Sequence, residues 1–484
     1  MKKIFSLVFV ISIFFTSCEK ADFGDTNVNP HGSTVADIDA MLRGGLQRYP
    51  GLGGRLYVAN TTLYAQYQSQ VTYTSEQLYA DTYGSWSNYY VNVLSNFKKV
   101  TEIDEFHIDG TSVNYHAMAE LASVMVYKKI TDTYGDIPYT EALQGANVNA
   151  TPAYSKQEDI YTDLIARAKA ARDSFDGNER PVLASTDAIY GGNLDQWKKL
   201  ANTLIMSIAI QMSNKDSAPA GFAATAFNEA LTDGNLMTVT ADDAVFTPDP
   251  GNGVTNAFSG LRSADYRLAK EFTDALRGST GIGSLNPTSN TTNDARRLWF
   301  SKDDADGHPY GYDNNNAPSD AGSTRMSDNF IASGADFVLY SAAYTNLLRA
   351  EAASAPLNWT TEDADAMLTA GITQSYAQFG ATAGAAAYAT ARIADIATTS
   401  AKQVINEEMW VALFPDGFTA WANQRRSGYP MLVPAVDALN GGVIPTRVQY
   451  PREASNSNTS NWNNALTSLS PATDTNKSKP WFMN

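Results

Sequence analysis

The chain has 484 residues, with 35 Lys and Arg set against 51 Asp and Glu for a formal charge of −16. So acidic a balance excludes nucleic acid as a partner, because phosphate binding needs a basic footprint. A single cysteine, Cys18, excludes an internal disulfide, so the fold must rest on its core, and the chain is long enough for a large one.

In chain order, Lys2 and Lys3 come first, and Ile4 to Phe15 is an apolar run broken only by Ser6 and Ser12. A bilayer span needs about 20 apolar residues, so the run is the central stretch of a secretory signal. It ends at Thr16-Ser17-Cys18. A small residue before a lone cysteine resembles the cleavage site of a bacterial lipoprotein, with Cys18 carrying the lipid. Stable anchoring needs more than one acyl chain, and only Cys18 offers an attachment point. The plainer alternative is a chance cysteine in an ordinary signal. Removing residues 1–17 takes away two lysines and no acids, which leaves a mature charge of −18. The expected organisation is therefore a signal over 1–17, an anchor and polar tether over 18–33, and one helical domain over 34–484.

Ser33 or Thr34 is a plausible cap for a helix carrying Ile38, Met41, Leu42 and Leu46. Leu56, Leu63, Tyr64 and Tyr67 mark a second. Trp86, Tyr89, Tyr90, Val93, Leu94 and Phe97 keep the three-and-four spacing of a buried helix face. Met118–Ile130 is another, stopped by Gly135 and Pro138. Helices follow around Ile160–Ala168 and Trp197–Ile208. Residues 240–330 form a loop-rich insertion, dense in Gly, Asn, Asp, Ser and Pro, in which only Leu261–Leu276 has helical spacing. Helices return at Phe337–Ala353, Ala364–Phe379 and Ala401–Phe414, and the tail after Gly428 is loop-like. The class is all-α, with helices in pairs but no strict repeat, so a solenoid is suggested rather than shown.

Five segments, in order, carry a resemblance. They are Phe23-Gly24-Asp25-Thr26-Asn27-Val28-Asn29-Pro30; Lys128 to Tyr139 with Asp132-Thr133-Tyr134-Gly135-Asp136-Ile137-Pro138 inside it; and Tyr190-Gly191-Gly192-Asn193 followed by Trp197-Lys198-Lys199-Leu200. The fourth runs from Trp410 through Phe414 and Trp421 to Arg425-Arg426-Ser427-Gly428-Tyr429-Pro430. The last is Ile444-Pro445-Thr446-Arg447 with Tyr450-Pro451 and Glu453. Together they resemble the SusD/RagB family, in particular its SusD-like subgroup of nutrient-binding lipoproteins from Bacteroidetes. The resemblance implies tetratricopeptide-like helix pairs with a less regular middle segment. It also implies a place on the outer-membrane surface and a SusC-like TonB-dependent transporter as partner. The cargo it implies is an oligosaccharide, or a peptide in the RagB-like version. The motif residues themselves are read as structural: Gly135, Pro138, Gly428 and Pro430 as helix stops, and Trp410 and Trp421 as core. Arg425 and Arg426 would satisfy helix carbonyls or pair with Glu407 and Glu408.

No catalytic signature stands out, and the chain is read as a binding protein without cofactor or metal. The four histidines, His31, His107, His116 and His308, lack metalloprotease spacing, and neither a nucleophile elbow nor a phosphate loop occurs. Asp303-Asp304-Ala305-Asp306-Gly307 puts Lys302 at the first ligand position of a calcium loop, so a solvated loop is the better reading. A surface glycoside hydrolase, the remaining enzyme reading, needs two carboxylates facing each other across a cleft, and adjacent Glu407 and Glu408 point about 100° apart on a helix. Saccharide binding is expected instead from stacking rings with polar groups at the rim. The ligand candidates are Tyr73, Tyr79, Tyr83 and Trp86 before the third helix, and Trp299, Tyr310, Tyr312, Asp313 and Arg325 in the insertion. The resembled family draws its ligand face from these two regions. For Trp86 a core position is favoured, and for Tyr310 and Tyr312, flanked by Gly and Asp, exposure.

Overall fold

The computed structural model describes residues 37–103, 111–145, 147–279 and 284–483. Cys18, the tether, the caps Ser33 and Thr34, the segment Phe23 to Pro30, His31 and His107 lie outside the described residues.

Helix α1 (Ile38–Arg48) buries Ile38, Leu42 and Leu46 on one face. It packs on α2 (Ser95–Glu102), where a Cβ at Gly45 would stand 2.3 Å from the Phe97 ring. Between them, Leu56–Thr61 is wound as a π-helix and Trp86–Tyr89 leads through Tyr90–Leu94 into α2. Four long helices follow: α3 (Val113–Tyr134), α4 (Gln157–Ser174), α5 (Leu194–Met212) and α6 (Phe222–Asp233), each packed on its successor. After the insertion, with α7 (Lys270–Arg277), come α8 (Ala342–Ala353), α9 (Ala364–Gln378), α10 (Ala385–Asp395), α11 (Ala401–Ala412) and α12 (Gly417–Ser427). Helix α8 pairs with α9 and joins the two groups by packing on α5, where the Thr203 and Thr345 hydroxyls lie 2.9 Å apart. The architecture is all-α, built from stacked tetratricopeptide-like helix pairs.

Local chemistry sets the helix ends. Asn193, Ser341, Asp363, Ser400 and Asp416 cap the helices that follow them by accepting first-turn N–H groups. Gly428 ends α12 in the left-handed conformation at φ 84°. The end of α3 depends on distant residues. Arg425 donates to the Asp132 carbonyl at 2.7 Å, Arg447 to Tyr134 at 3.1 Å and the Tyr450 hydroxyl to Asp136 at 2.7 Å. These motif residues are structural, as expected, and Trp410 and Trp421 are fully buried.

Three expectations are corrected. Within Leu261–Leu276 the α-helix starts only at Lys270, after a 3-10 turn at Ser263–Asp265, because Tyr266–Leu268 is a strand paired antiparallel with Gln68–Gln70. Phe337–Tyr340 likewise pairs with Ala244–Phe246, and the helix begins only after the Ser341 cap. Backbone pairing with a remote strand outweighs local spacing in both. The tail after Gly428 is not all loop, since it carries Arg452–Ser457 and Thr459–Leu466 as helices.

Asp243, beside the second of those strand pairs, accepts the Ala342 N–H at 2.7 Å. Burial pushes its carboxyl up to about 7, with Asp242 adding to the shift and the Ala342 N–H opposing it. A raised acid holds in the folded state a proton that the unfolded chain releases, so stability falls as pH rises from about 4 to about 7. Asp243→Asn keeps the acceptor and removes the charge. It is expected to raise the unfolding free energy at pH 8, followed by urea titration, by about 1–3 kcal/mol, and to change little near pH 4.

Candidate ligand-binding site

The segment between the π-helix and α2 holds three non-glycine residues at positive φ: Gln66 at 54°, Tyr73 at 56° and Tyr79 at 65°. Left-handed backbone costs an ordinary residue about 1–2 kcal/mol, so something must hold it. Gln70 and Gln77 do so reciprocally, each accepting the other's backbone N–H, and Gln77 Nε2 also donates to the Gln70 and Tyr312 carbonyls. Ser69 Oγ and His308 Nδ1, both buried, lie 3.1 Å apart, with His308 Nε2 3.1 Å from the Pro318 carbonyl. This polar lattice fastens the segment to the insertion.

The segment ends at Tyr83-Gly84. Gly84 lies so close to Tyr134 that a Cβ would stand 1.5 Å from its hydroxyl. Tyr83 bridges to Gln449, whose Nε2 lies 3.3 Å from the ring hydroxyl, and the Arg452 guanidinium sits 4.4 Å from the ring centroid. Its ring, 37% exposed, borders a cleft of about 400 Å³ that Asn60, Ser75, Asp81, Ser85 and Asn88 also line. A second hollow, of about 580 Å³, adjoins it through Gly53 and Asn88 and adds Gln47, Asn92 and Thr255. The pair forms a groove rich in amides and hydroxyls with a flat ring at one end. Of its acids, Glu76 is taken up by Arg55, Gln70 and Tyr266. That leaves Asp81, and the cleft offers no facing carboxylate pair.

The nine expected ligand residues do not share one cleft. Tyr83 lies in the groove. Tyr73 is 62% exposed, with Arg262 5.8 Å from its ring centroid. Trp86 is half-buried among Tyr90, Tyr134, Tyr154 and Tyr450. Trp299 lies against Gly380 in a shallow apolar hollow, and Tyr312 lines a different, apolar cleft. Asp313 accepts the N–H groups of Asn315 and Asn316 and so caps its own turn. Arg325 is half-buried, and its carbonyl accepts the Lys302 N–H.

Tyr79 and Tyr310 need correction. They are 1% and 3% exposed, because their hydroxyls are used internally: Tyr79 accepts the Ala435 N–H and Tyr310 donates to the Gln77 carbonyl. They are core rings. Sequence reasoning missed Gln70, Gln77, Asn60 and Asn88, since isolated amides carry no periodic signal.

The expected partners of Glu407 and Glu408 are also corrected. Arg392 binds both, at 2.7 and 2.8 Å, and Arg296 binds Glu408 at 2.7 Å. Arg426 instead pairs with Glu351 at 2.7 Å, while Arg425 serves carbonyls and stacks 3.5 Å from the Trp421 ring centroid. Asp304 and Asp306, from the acidic loop, pair with Arg277 and Arg297. Among the described residues, no cluster of three or more His, Asp or Glu is placed to hold a metal.

Nothing among curated proteins matches. A chitin-binding SusD homolog from Flavobacterium johnsoniae is similar, with a TM-score of 0.73 at 22% identity over 92% of this chain and 97% of that one. A SusD-like protein from Bacteroides thetaiotaomicron gives 0.74 at 20% identity, over 92% and 98%. A SusD homolog from Bacteroides vulgatus gives 0.74 at 19%, over 92% and 97%. At these identities the likeness shows the fold. Residues 52–451 match the family described as starch-binding and associating with the outer membrane, which takes in most of the helical scaffold and the whole Tyr83 cleft. The chain belongs to the SusD-like family.

Proposed function

We propose that this protein is a lipid-anchored, cell-surface binding protein that captures an oligosaccharide in the Tyr83 groove and delivers it to a SusC-like TonB-dependent transporter. The groove carries the reading. A sugar presents apolar C–H faces and a rim of hydroxyls, and it is held by a flat ring together with amides that donate and accept. Tyr83 supplies the ring, and Gln47, Asn88 and Asn92 supply the amides. The chitin-binding relative from Flavobacterium johnsoniae supports a saccharide as cargo.

A glycan and peptide array on the purified domain tests it, followed by Tyr83→Ala against the best ligand. A lost stacking ring costs about 0.5–1.5 kcal/mol beyond contact area, so affinity is expected to fall roughly tenfold. The melting temperature should hold, because the ring is partly exposed. Unchanged affinity moves the site to Trp299 or Tyr312. Exclusive binding of peptides on the array replaces the saccharide reading with a peptide one. Turnover that copurifies with the protein replaces it with a hydrolase.

A further inference from the structure

Away from the groove lies a cleft of about 300 Å³ between the insertion and the segment after Gly428. Its walls are apolar: Leu285, Met431, Val433 and Val436 line it and remain 39%, 59%, 64% and 60% exposed. Three of its neutral polar side chains are already engaged. Asn286 donates to the Asn290 carbonyl and accepts from Thr288, Ser284 Oγ donates to the Ser279 carbonyl, and the Tyr310 hydroxyl donates to Gln77. One charged residue lines the cleft, Glu271, which is 8% exposed. Its Oε1 accepts the Tyr310 N–H at 3.3 Å, and its Oε2 is buried without a partner.

A buried carboxylate oxygen is stable only when something donates to it. Lys270, next in sequence, is committed to Asp274 at 2.8 Å. The other ionisable groups that bear on Glu271 are Asp274, on its own helix, and Tyr310, which is backed by Tyr79. None supplies a cation. When Glu271 is ionised, the missing donor has one way in, through the cleft, past apolar walls, toward a site whose one charge is negative. We propose that the cleft binds a primary ammonium carried on an aliphatic stem, as on a lysine side chain or a free alkyl diamine. The ammonium donates to Glu271, the methylenes run along Met431 and Val433, and Tyr312 offers a ring face at the wall. This site is independent of the Tyr83 groove and of the cargo proposed for it.

The test uses the intact domain with methyl-labelled methionine, reading Met431 by NMR at pH 8 while 1,5-diaminopentane or Nα-acetyl-lysine amide is titrated in. Norleucine amide, with the stem but no ammonium, is the control. The ammonium ligands are expected to shift Met431 with saturation, and binding by only one of them identifies the source. Burial holds the Glu271 carboxyl up at about 7, so affinity should fall about tenfold between pH 8 and pH 6 as the carboxylate takes up a proton. Glu271→Gln should weaken binding at least tenfold and leave saccharide binding at Tyr83 unchanged. Should that variant fail to fold, Val433→Arg, which puts a cation at the exposed mouth, is expected to give the same loss. Three results overturn the proposal: no saturable Met431 shift with either amine, equal binding of norleucine amide, or full affinity in a folded Glu271→Gln variant.

Discussion

Glu408→Gln is expected to destabilise the protein by about 3–5 kcal/mol, the range for removing one partner of a buried ion pair. Glu408 is 1% exposed, and the two arginines on it, Arg296 and Arg392, are both 0% exposed. Its Oε1 accepts from Arg392 at 2.8 Å and from the Tyr388 hydroxyl at 2.9 Å, and its Oε2 accepts from Arg296 at 2.7 Å. A glutamine turns an NH2 toward guanidinium donors and leaves the Arg296 charge to Asp294 alone. The pH dependence has a definite sign. Burial pushes the Glu408 carboxyl up, but Arg296 and Arg392 outweigh burial and hold it below the ordinary glutamate value. Its contribution is therefore complete above about pH 4.5. It fades as pH falls through the lowered folded-state value, opposite in sense to Asp243. Urea midpoints at pH 7 and pH 3.5 check both points: the deficit of the variant should be large at pH 7 and shrink at the acid end.

Cys18→Ala is expected to move the protein almost entirely from the membrane fraction to the soluble fraction. Cys18 is the one cysteine, placed where the apolar run ends, so the variant has no second attachment point for acyl chains. Among the described residues, no helix is long and apolar enough to cross a membrane. Fractionation with and without detergent, followed by mass spectrometry of the N-terminus, decides the matter. A variant that still sediments with membranes and is released only by detergent refutes the lipid anchor.

The long helices were legible because their apolar faces repeat at helical spacing, as in Trp197, Leu200, Leu204 and Ile208 of α5, all fully buried. Alanine-rich α10 was missed, since its Ala385-Ala386-Ala387 start offers no large apolar face. Helix α6 was missed too. The strands Tyr266–Leu268 and Phe337–Tyr340 were misread because their partners, Gln68–Gln70 and Ala244–Phe246, lie far away along the chain, and such pairing leaves no local mark. The site was less legible than the fold. Tyr83 and Tyr79 look alike in sequence, four residues apart in the same loop. What separates them is Ala435, whose N–H reaches Tyr79 from far along the chain and fixes that ring in the core. Gln77 and Glu271 stayed invisible for the same reason, because their roles are defined by groups that other segments bring or fail to bring.

The end of α3 sets a timetable for the chain. The contacts that satisfy its last carbonyls come from Arg425, Arg447 and Tyr450, which lie 293, 313 and 314 residues downstream of the groups they reach. A polypeptide made from its N-terminus has helix α3 long before it has those side chains. Until they emerge, the carbonyls of Asp132, Tyr134 and Asp136 have only water for partners, and the scaffold around Trp421 stays unsealed. Closure of this helix end therefore waits for the final tenth of the molecule.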